Sequence, residues 1–378
     1  MERMRINSLK EKFNIMKQNY NKKSKYIEKQ MQSHEELCCR QQDYAWKFDR
    51  RDFLKTTTLA GVGALFTTLG AKASETKKIS SEEKPKVFMT KEITSASLMK
   101  IYQALDRPAK GKNVAVKIST GEPGGHNFLD PNLIKELVQS VKGTIIECNT
   151  AYGGGRATTE AHRKAAEAHG FTAIAKVDIM DEEGDISLPV KGGTHLKEDF
   201  VGKNFIDYDF VVVLSHFKGH AMGGFGGAVK NISIGIASAT GKCWIHTAGK
   251  VKKDLWQNLP KQDYFLESMA EAAKAVADHC GEKILYINVA NKLSVDCDCD
   301  SSPEDPKMSD IGILASLDPV AVDKATVDMV YASKDPGKSH LIERMESRHG
   351  IHTLEHGEKI GLGSMAYELV DLDTVKQA

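Results

Sequence analysis

The sequence lacks the features that mark several classes of protein. No uninterrupted apolar run approaches the roughly eighteen residues of a membrane-spanning helix, so no stable membrane span is expected. The 52 basic and 51 acidic side chains leave a net charge of only +1, which argues against a nucleic-acid-binding protein. Cysteine is also scarce, at 7 of 378 residues, and the five cysteines beyond residue 73 form an odd set that does not suggest a disulfide framework.

The basic residues are concentrated near the beginning of the chain. Residues 1–73 hold 15 basic and 8 acidic side chains, whereas the rest of the chain holds 37 and 43. Arg50 and Arg51 precede the uncharged stretch 56–70, and a small-x-small cleavage site follows at 71–73. This order predicts a twin-arginine signal peptide over residues 49–73. The protein is then expected to interact with the twin-arginine translocon and to be periplasmic or otherwise exported. The alternative is an amphipathic helix with a chance arginine pair.

Three further segments surround this signal. Residues 1–48 form a charged leader without apolar periodicity, which is typical of a disordered segment, and residues 74–90 form a polar linker. From 91 to 378, short apolar runs such as 113–118 and 173–179 alternate with helical patterns. Two of these helices are expected to begin at Asp130-Pro131 and Asp318-Pro319. The alternation predicts a single large α/β domain in which helices flank a mostly parallel sheet.

Three glycine-rich loops, at 120–126, 149–156 and 215–231, follow predicted strands, where ligands gather in parallel α/β sheets. None has the spacing of a P-loop or of a dinucleotide-binding turn, and tight turns alone would also explain the glycines. Glycine lets backbone amides approach an anion closely. The residues predicted on this basis to bind a cofactor or an anionic small molecule are Gly124, Gly125, Gly224, Gly226, Gly227 and Asn231.

The loop 215–231 also carries polar side chains in a regular pattern. His216, Lys218 and His220 alternate directly after an apolar strand, and an extended backbone would place them on one face. We predict Lys218, His220 and Lys230 as catalytic residues, since lysines hold anionic groups and histidine moves protons near neutral pH. A solvated loop whose histidines only support turns is the alternative.

Cys297 and Cys299 lie two residues apart among aspartates. In an extended segment both thiols face one side, which suits a borderline metal such as zinc or iron. His216, His220, Cys297 and Cys299 are therefore the predicted metal ligands, in one pocket at the carboxyl edge of the sheet. The flanking aspartates are expected to raise the pKa values of the thiols. Buried or oxidised cysteines are the alternative, because no second cysteine pair with ligand spacing exists.

Several motifs together resemble the domain of unknown function 362 family, often described as uncharacterised iron-sulfur centre proteins. They are the Gly-Glu-Pro-Gly loop at 121–124, the runs 215–220 and 224–231, the Asp-Cys-Asp-Cys segment at 296–299, and the segment 310–321. The resemblance covers about residues 85–372 and implies a metal or iron-sulfur centre and a redox partner as options, although the family's iron-sulfur label does not carry over whole. Many relatives carry a ferredoxin-type insert, but the interval 239–284 holds only Cys243 and Cys280, so no ferredoxin-type cluster motif is present.

Two functional hypotheses of different class follow. The first is an exported metal- or cofactor-dependent enzyme, with oxidoreductase chemistry as one option. The second is a non-catalytic protein that binds a metal or a small anion. A catalytic metal site keeps an open ligand position, whereas a purely structural site closes its coordination sphere with protein ligands. The sequence alone does not decide whether the protein is an enzyme.

Overall fold

The computed structural model describes residues 83–374. The predicted leader (1–48) and signal peptide (49–73) lie outside the described residues. The strands are β1 (Lys86–Thr90), β2 (Val114–Lys117), β3 (Thr144–Glu147), β4 (Val177–Ile179), β5 (Asp185–Pro189), β6 (Glu198–Gly202), β7 (Phe210–His216), β8 (Lys218–His220), β9 (Gly224–Gly226), β10 (Ile284–Ala290), β11 (Gly312–Ser316) and β12 (Glu368–Asp371). The α-helices are α1 (Ser95–Ala104), α2 (Pro131–Ser140), α3 (Thr159–Ala168), α4 (Ala228–Ile232), α5 (Ala239–His246), α6 (Gln262–Cys280), α7 (Pro319–Ala332), α8 (Lys338–Ser347) and α9 (His352–Lys359).

Eight strands form one sheet in the order β12-β1-β11-β10-β7-β2-β3-β4. The five strands from β10 to β4 are parallel to one another, and β12 is parallel to β1. Only β11 runs antiparallel to both of its neighbours. The other described strands form two short antiparallel pairs, β5–β6 and β8–β9. The predicted α/β class, a mostly parallel sheet flanked by helices in one domain, is therefore confirmed.

Apolar side chains cover both faces of this sheet. Along β7, where all seven residues are buried, Val211 and Val213 join the cluster that includes residues of α4, α6 and α7. Val212 and Leu214 join the opposite cluster, which includes residues of α1 and α2. Parallel strands that are buried on both faces have nearly continuous hydrophobic runs in their sequences. In the part of the chain that the structure describes, no helix has the length and apolar character needed to cross a membrane.

Local sequence signals set the starts of two helices as predicted. The Asp130 carboxylate accepts a hydrogen bond from the Asn132 amide at 2.8 Å, and Pro131 is the first residue of α2. The Asp318 carboxylate accepts one from the Ala321 amide at 2.8 Å, ahead of Pro319 in α7. In both helices an aspartate satisfies a free amide, and the missing N–H of proline costs no hydrogen bond at that position.

Two segments differ from the prediction. The predicted linker 74–90 is corrected at its end, because Lys86–Thr90 form β1, where Val87 and Met89 face the core. The apolar run 87–89 was a signal for this strand, but its partner β11 lies more than 200 residues further along the chain. The predicted strand 173–179 is shorter than expected: Phe171–Ala173 form a 3-10 turn, and only Val177–Ile179 are extended.

The parallel strands bring polar residues to one edge of the sheet. Lys117, Glu147 and His216 are the last residues of β2, β3 and β7, which follow one another in the order β7-β2-β3. The loop after β10, the other neighbour of β7, leads to the cysteine segment 297–299. Parallel strands share the direction of their carboxyl ends, so these groups meet where α/β proteins usually bind ligands.

Candidate functional site

A small cavity lies at this edge of the sheet. Its volume is about 60 Å³, room for a few water molecules, a metal ion or a small anion. Its walls include eight of the residues predicted for the site and a further set of charged residues described below. The eight are His216, Lys218, Gly226, Gly227, Lys230, Asn231, Cys297 and Cys299.

Three candidate metal ligands converge beside the cavity. One ligand atom each of His220, Cys297 and Cys299 lies within 4.8 Å of the other two. Both cysteines are free, and Cys297 is buried. Gly219 makes the approach of β8 feasible, because a Cβ atom at that position would lie 2.2 Å from the Val295 carbonyl oxygen. Thiolate and imidazole donors at this separation are what a zinc or iron site requires.

The two thiols differ in charge. A hydrogen bond from Cys299, together with the nearby Lys230 ammonium, holds the pKa of Cys297 well below its ordinary value despite burial. Cys299 retains the proton of this pair, and the same hydrogen bond and burial raise its pKa. The Nζ of Lys230 lies 3.3 Å from the Cys297 sulfur. The expectation that both thiol pKa values are raised is therefore wrong for Cys297.

Asp298, between the two cysteines, is neutralised by two partners. Its carboxylate accepts hydrogen bonds from His216 Nδ1 at 2.8 Å and from Lys218 Nζ at 2.6 Å. Although burial opposes ionisation, these two groups hold the pKa of Asp298 far below its usual range. The predicted catalytic residue Lys218 thus anchors the cysteine loop, and its ammonium is already paired.

His216 is not placed as a metal ligand. Its Nδ1 faces Asp298, and its Nε2 donates to the Asn291 carbonyl oxygen at 2.7 Å. Both ring nitrogens are therefore used, and neither has a lone pair directed at the cysteines. This corrects the predicted ligand set: His216 positions the loop that carries the thiols, whereas His220 lies beside them.

His220 is neutral in this arrangement. Burial, followed by the charge of Lys230, lowers its pKa well below the ordinary value. The Gly223 amide donates to His220 Nδ1 at 2.7 Å, so the single ring proton belongs on Nε2. The side chain consequently offers a hydrogen-bond donor at Nε2, and it binds a metal there only in the other tautomer, with the proton on Nδ1.

A second group of charged residues lies across the cavity. The Nζ of Lys117 is 2.9 Å from a Glu147 oxygen and 3.1 Å from Asn231 Oδ1. Arg156 binds Glu147 at 3.2 Å and Glu122 at 3.0 Å. Burial opposes the charge on Glu147, but Lys117 and Arg156 lower its pKa to about 2. Sequence reasoning missed this network, although a charged residue that ends an apolar strand was a signal for Lys117 and Glu147.

Lys242 differs from the other cavity lysines. It projects from α5, is buried, and donates from Nζ to the Ala237 carbonyl oxygen at 2.6 Å. Within residues 83–374 it forms no ion pair with a carboxylate. Five lysine and arginine side chains therefore line the cavity: Lys117, Arg156, Lys218, Lys230 and Lys242. Among the described residues, the acidic groups bonded to four of them are Glu122, Glu147, Asp298 and the Cys297 thiolate.

The predicted cofactor-binding glycines separate into two groups. Gly226 and Gly227 line the cavity together with Asn231. Gly124 and Gly125 instead pack against the carbonyl oxygens of residues 301 and 300, to which added Cβ atoms would come within 2.8 and 3.0 Å. Gly224 packs against Met345 and residue 350. The prediction for Gly124, Gly125 and Gly224 is corrected: they allow close packing around the site and do not line it.

The chain matches one family model and is distantly similar to several solved structures. The model described as Domain of unknown function (DUF362) matches residues 114–328. No curated protein matches the chain. The lactate racemase apoprotein from Thermoanaerobacterium thermosaccharolyticum is 16% identical, with a TM-score of 0.38 over 66% of this chain and 57% of that one. A Thermotoga maritima protein is 14% identical, with a TM-score of 0.33 over 72% of this chain and 60% of that one.

This chain spans less than two thirds of the length of either structure, and both similarities are too distant to bear on function. The match to the family model is more informative than these two structural similarities. It covers more than half of the chain, from β2 to within α7, and includes both the lysine-histidine loop and the cysteine segment. On this evidence the chain belongs to the family described as Domain of unknown function (DUF362).

Proposed function

We propose that this protein binds one transition-metal ion, zinc or iron, through His220, Cys297 and Cys299. The observation that carries the proposal is the convergence of their three ligand atoms within 4.8 Å. Three protein ligands leave a fourth coordination position, and both cysteines also line the cavity. An open position is the mark of catalytic zinc sites, so the arrangement favours a metal-dependent enzyme over a closed storage site. With iron, the chemistry would be redox and would need a redox partner.

Metal binding requires a change of protonation at two of the proposed ligands. Because His220 Nδ1 accepts a hydrogen bond from the Gly223 amide, coordination through Nε2 requires the ring proton to shift from Nε2 to Nδ1, with loss of that hydrogen bond. Cys299 must also lose its proton, since metals bind the thiolate. We therefore expect metal binding to release protons and to tighten as pH rises.

The test uses cobalt(II) as a spectroscopic probe on protein stripped with a chelator. Cobalt bound by thiolates absorbs in the near ultraviolet, whereas cobalt bound by histidine and carboxylate alone does not show this band. We expect one equivalent of cobalt to develop the band in the unmodified protein. Cys297→Ser and Cys299→Ser should each abolish it, and His220→Ala should weaken it.

Cys280→Ser is the matched control, because Cys280 is a free cysteine at the end of α6, outside the site. It should retain the full band. Circular dichroism spectra of all variants check that each one folds. A full thiolate band in both site variants, or no band in the unmodified protein, would show that these cysteines hold no metal.

A second candidate function, the binding of a small anion, is favoured by Lys242. Buried charges in proteins are normally paired, and among residues 83–374 this lysine bonds only to a carbonyl oxygen. Cavity lysines would then hold a small anionic ligand without metal. Sulfate or phosphate should stabilise the protein against thermal unfolding, and Lys242→Met should remove this effect. If neither anion shifts the unfolding temperature, the anion-binding function fails, whatever the cobalt experiment shows.

Export by the twin-arginine pathway is part of the proposal. The paired arginines, the uncharged stretch and the cleavage site in residues 49–73 support it. This pathway carries folded proteins, so the metal would enter the site in the cytoplasm before the protein reaches the periplasm.

A further inference from the structure

A second cluster of histidines and carboxylates lies where α9 packs on α6. His352 and Glu355 belong to the first turn of α9, and His349 precedes them in the turn after α8. Asp263 and Glu267, from α6, face these histidines. The cluster contains no cysteine and belongs to different elements from the cavity site, so the metal proposed there does not account for it.

We propose that His349, His352 and Glu355 form a separate site for a divalent cation of the zinc class. One ligand atom of each residue lies within 4.8 Å of the other two. The rings of His349 and His352 are stacked, with centroids 5.0 Å apart and planes within 15°. Two imidazoles and one carboxylate form a ligand set typical of zinc, with room for water at the remaining position.

The protonation of the two histidines already suits metal binding. His349 Nδ1 donates to Asp263 at 2.7 Å, which leaves Nε2 as the lone-pair nitrogen. His352 Nε2 donates to Glu267 at 3.1 Å, and its Nδ1 faces Glu355 at 3.4 Å. Metal-binding histidines almost always donate their other N–H to a carboxylate, a backbone carbonyl or water, which fixes the tautomer and the ring orientation. Here each candidate ligand has such a partner from α6.

Neighbouring groups support these partners. The same Glu267 carboxylate also bonds His195 Nε2, so its position is set from two sides. His356 is already engaged, through its Nε2, with Glu271 at 3.1 Å, and it is not needed as a ligand. Asp263, Glu267 and Glu355 place three carboxylates beside His349 and His352, and carboxylates favour a cation. The side chains of His349 and His352 are 54% and 22% exposed, so an ion has access from solvent.

The experiment separates this site from the dithiol site. In the double variant Cys297→Ser/Cys299→Ser, calorimetric titration with Zn²⁺ should still show one bound ion per chain. Adding His349→Ala or His352→Ala to that background should abolish binding. Asp263→Asn, which removes only the carboxylate partner of His349, should weaken binding by about 10- to 100-fold.

His126→Ala is the matched control, because His126 is an exposed histidine paired with Asp305 in another part of the surface. It should leave Zn²⁺ binding unchanged. The proposal is overturned if the double cysteine variant binds no Zn²⁺, or if neither histidine variant alters the binding. The cobalt-thiolate band of the unmodified protein reports the cavity site alone, so the failure of either site is seen independently of the other.

Discussion

Asp199 offers the sharpest test of the electrostatics in this fold. It lies in β6, is fully buried, and neither of its carboxylate oxygens has a hydrogen-bond partner among the described residues. Burial raises the pKa of Asp199 to about 8. The carboxyl is therefore protonated in the folded protein at neutral pH, and it ionises when the chain unfolds. We expect Asp199→Asn, which keeps the size and removes the titration, to stabilise the protein.

The sign and size of the effect follow from proton linkage. An unfolded aspartate has a pKa of about 3.9, so between that pH and about 8 the native state holds a proton that the unfolded state has lost. Stability therefore falls as pH rises through this window. One pKa unit corresponds to about 1.36 kcal/mol, so Asp199 should lower the free energy of unfolding by about 3 kcal/mol between pH 5 and pH 7.

Urea unfolding followed by circular dichroism at pH 5 and pH 7 measures this directly. The stability advantage of Asp199→Asn over the unmodified protein should grow by about 3 kcal/mol between the two pH values. Asp207→Asn, the same change at an exposed position, should show no such growth. An advantage that is equal at both pH values would refute the reasoning, because it would mean that Asp199 is not protonated in the native state.

Further predictions concern export and the packing of the site. Replacing Arg50 and Arg51 with lysine should leave the protein in the cytoplasm, as cell fractionation would show, and unchanged export would contradict the signal peptide. N-terminal sequencing should show that the exported protein begins near Ser74. Gly219→Ala should destabilise the protein by about 1–3 kcal/mol and weaken the cobalt-thiolate band, because the new Cβ would collide with the Val295 carbonyl. A variant with unchanged stability and an unchanged band would show that β8 does not depend on this contact.

The elements that the sequence predicted well depend on interactions between near neighbours. The helix that starts at Asp130-Pro131 is an example, because the cap joins residues only two positions apart. The buried strand β7 was predicted equally well, since a parallel strand covered on both faces is apolar along most of its length. In contrast, β1 is held by pairing with β11, and the short apolar run 87–89 does not by itself identify a partner more than 200 residues away.

In the candidate site, too, some features could be predicted from the sequence and others depend on the tertiary structure. The residue types and their spacing were visible in the sequence, and the rule for parallel strands predicted that His220 and Cys297 would meet. The structure places them together, and it also assigns different roles to similar residues. His216 and His220 are four residues apart, yet one is bonded at both nitrogens and the other faces the thiols.

Charge at the site was decided by tertiary structure alone. From the sequence, the aspartates beside Cys297 are its nearest charged groups, and they predict a raised thiol pKa. In the folded protein, His216 and Lys218 neutralise Asp298, while Lys230, 67 residues away in the chain, lies 3.3 Å from the sulfur. Electrostatic interactions depend on distance and burial in space, so residue types were readable from the sequence, whereas the sign of the pKa shift of Cys297 was not.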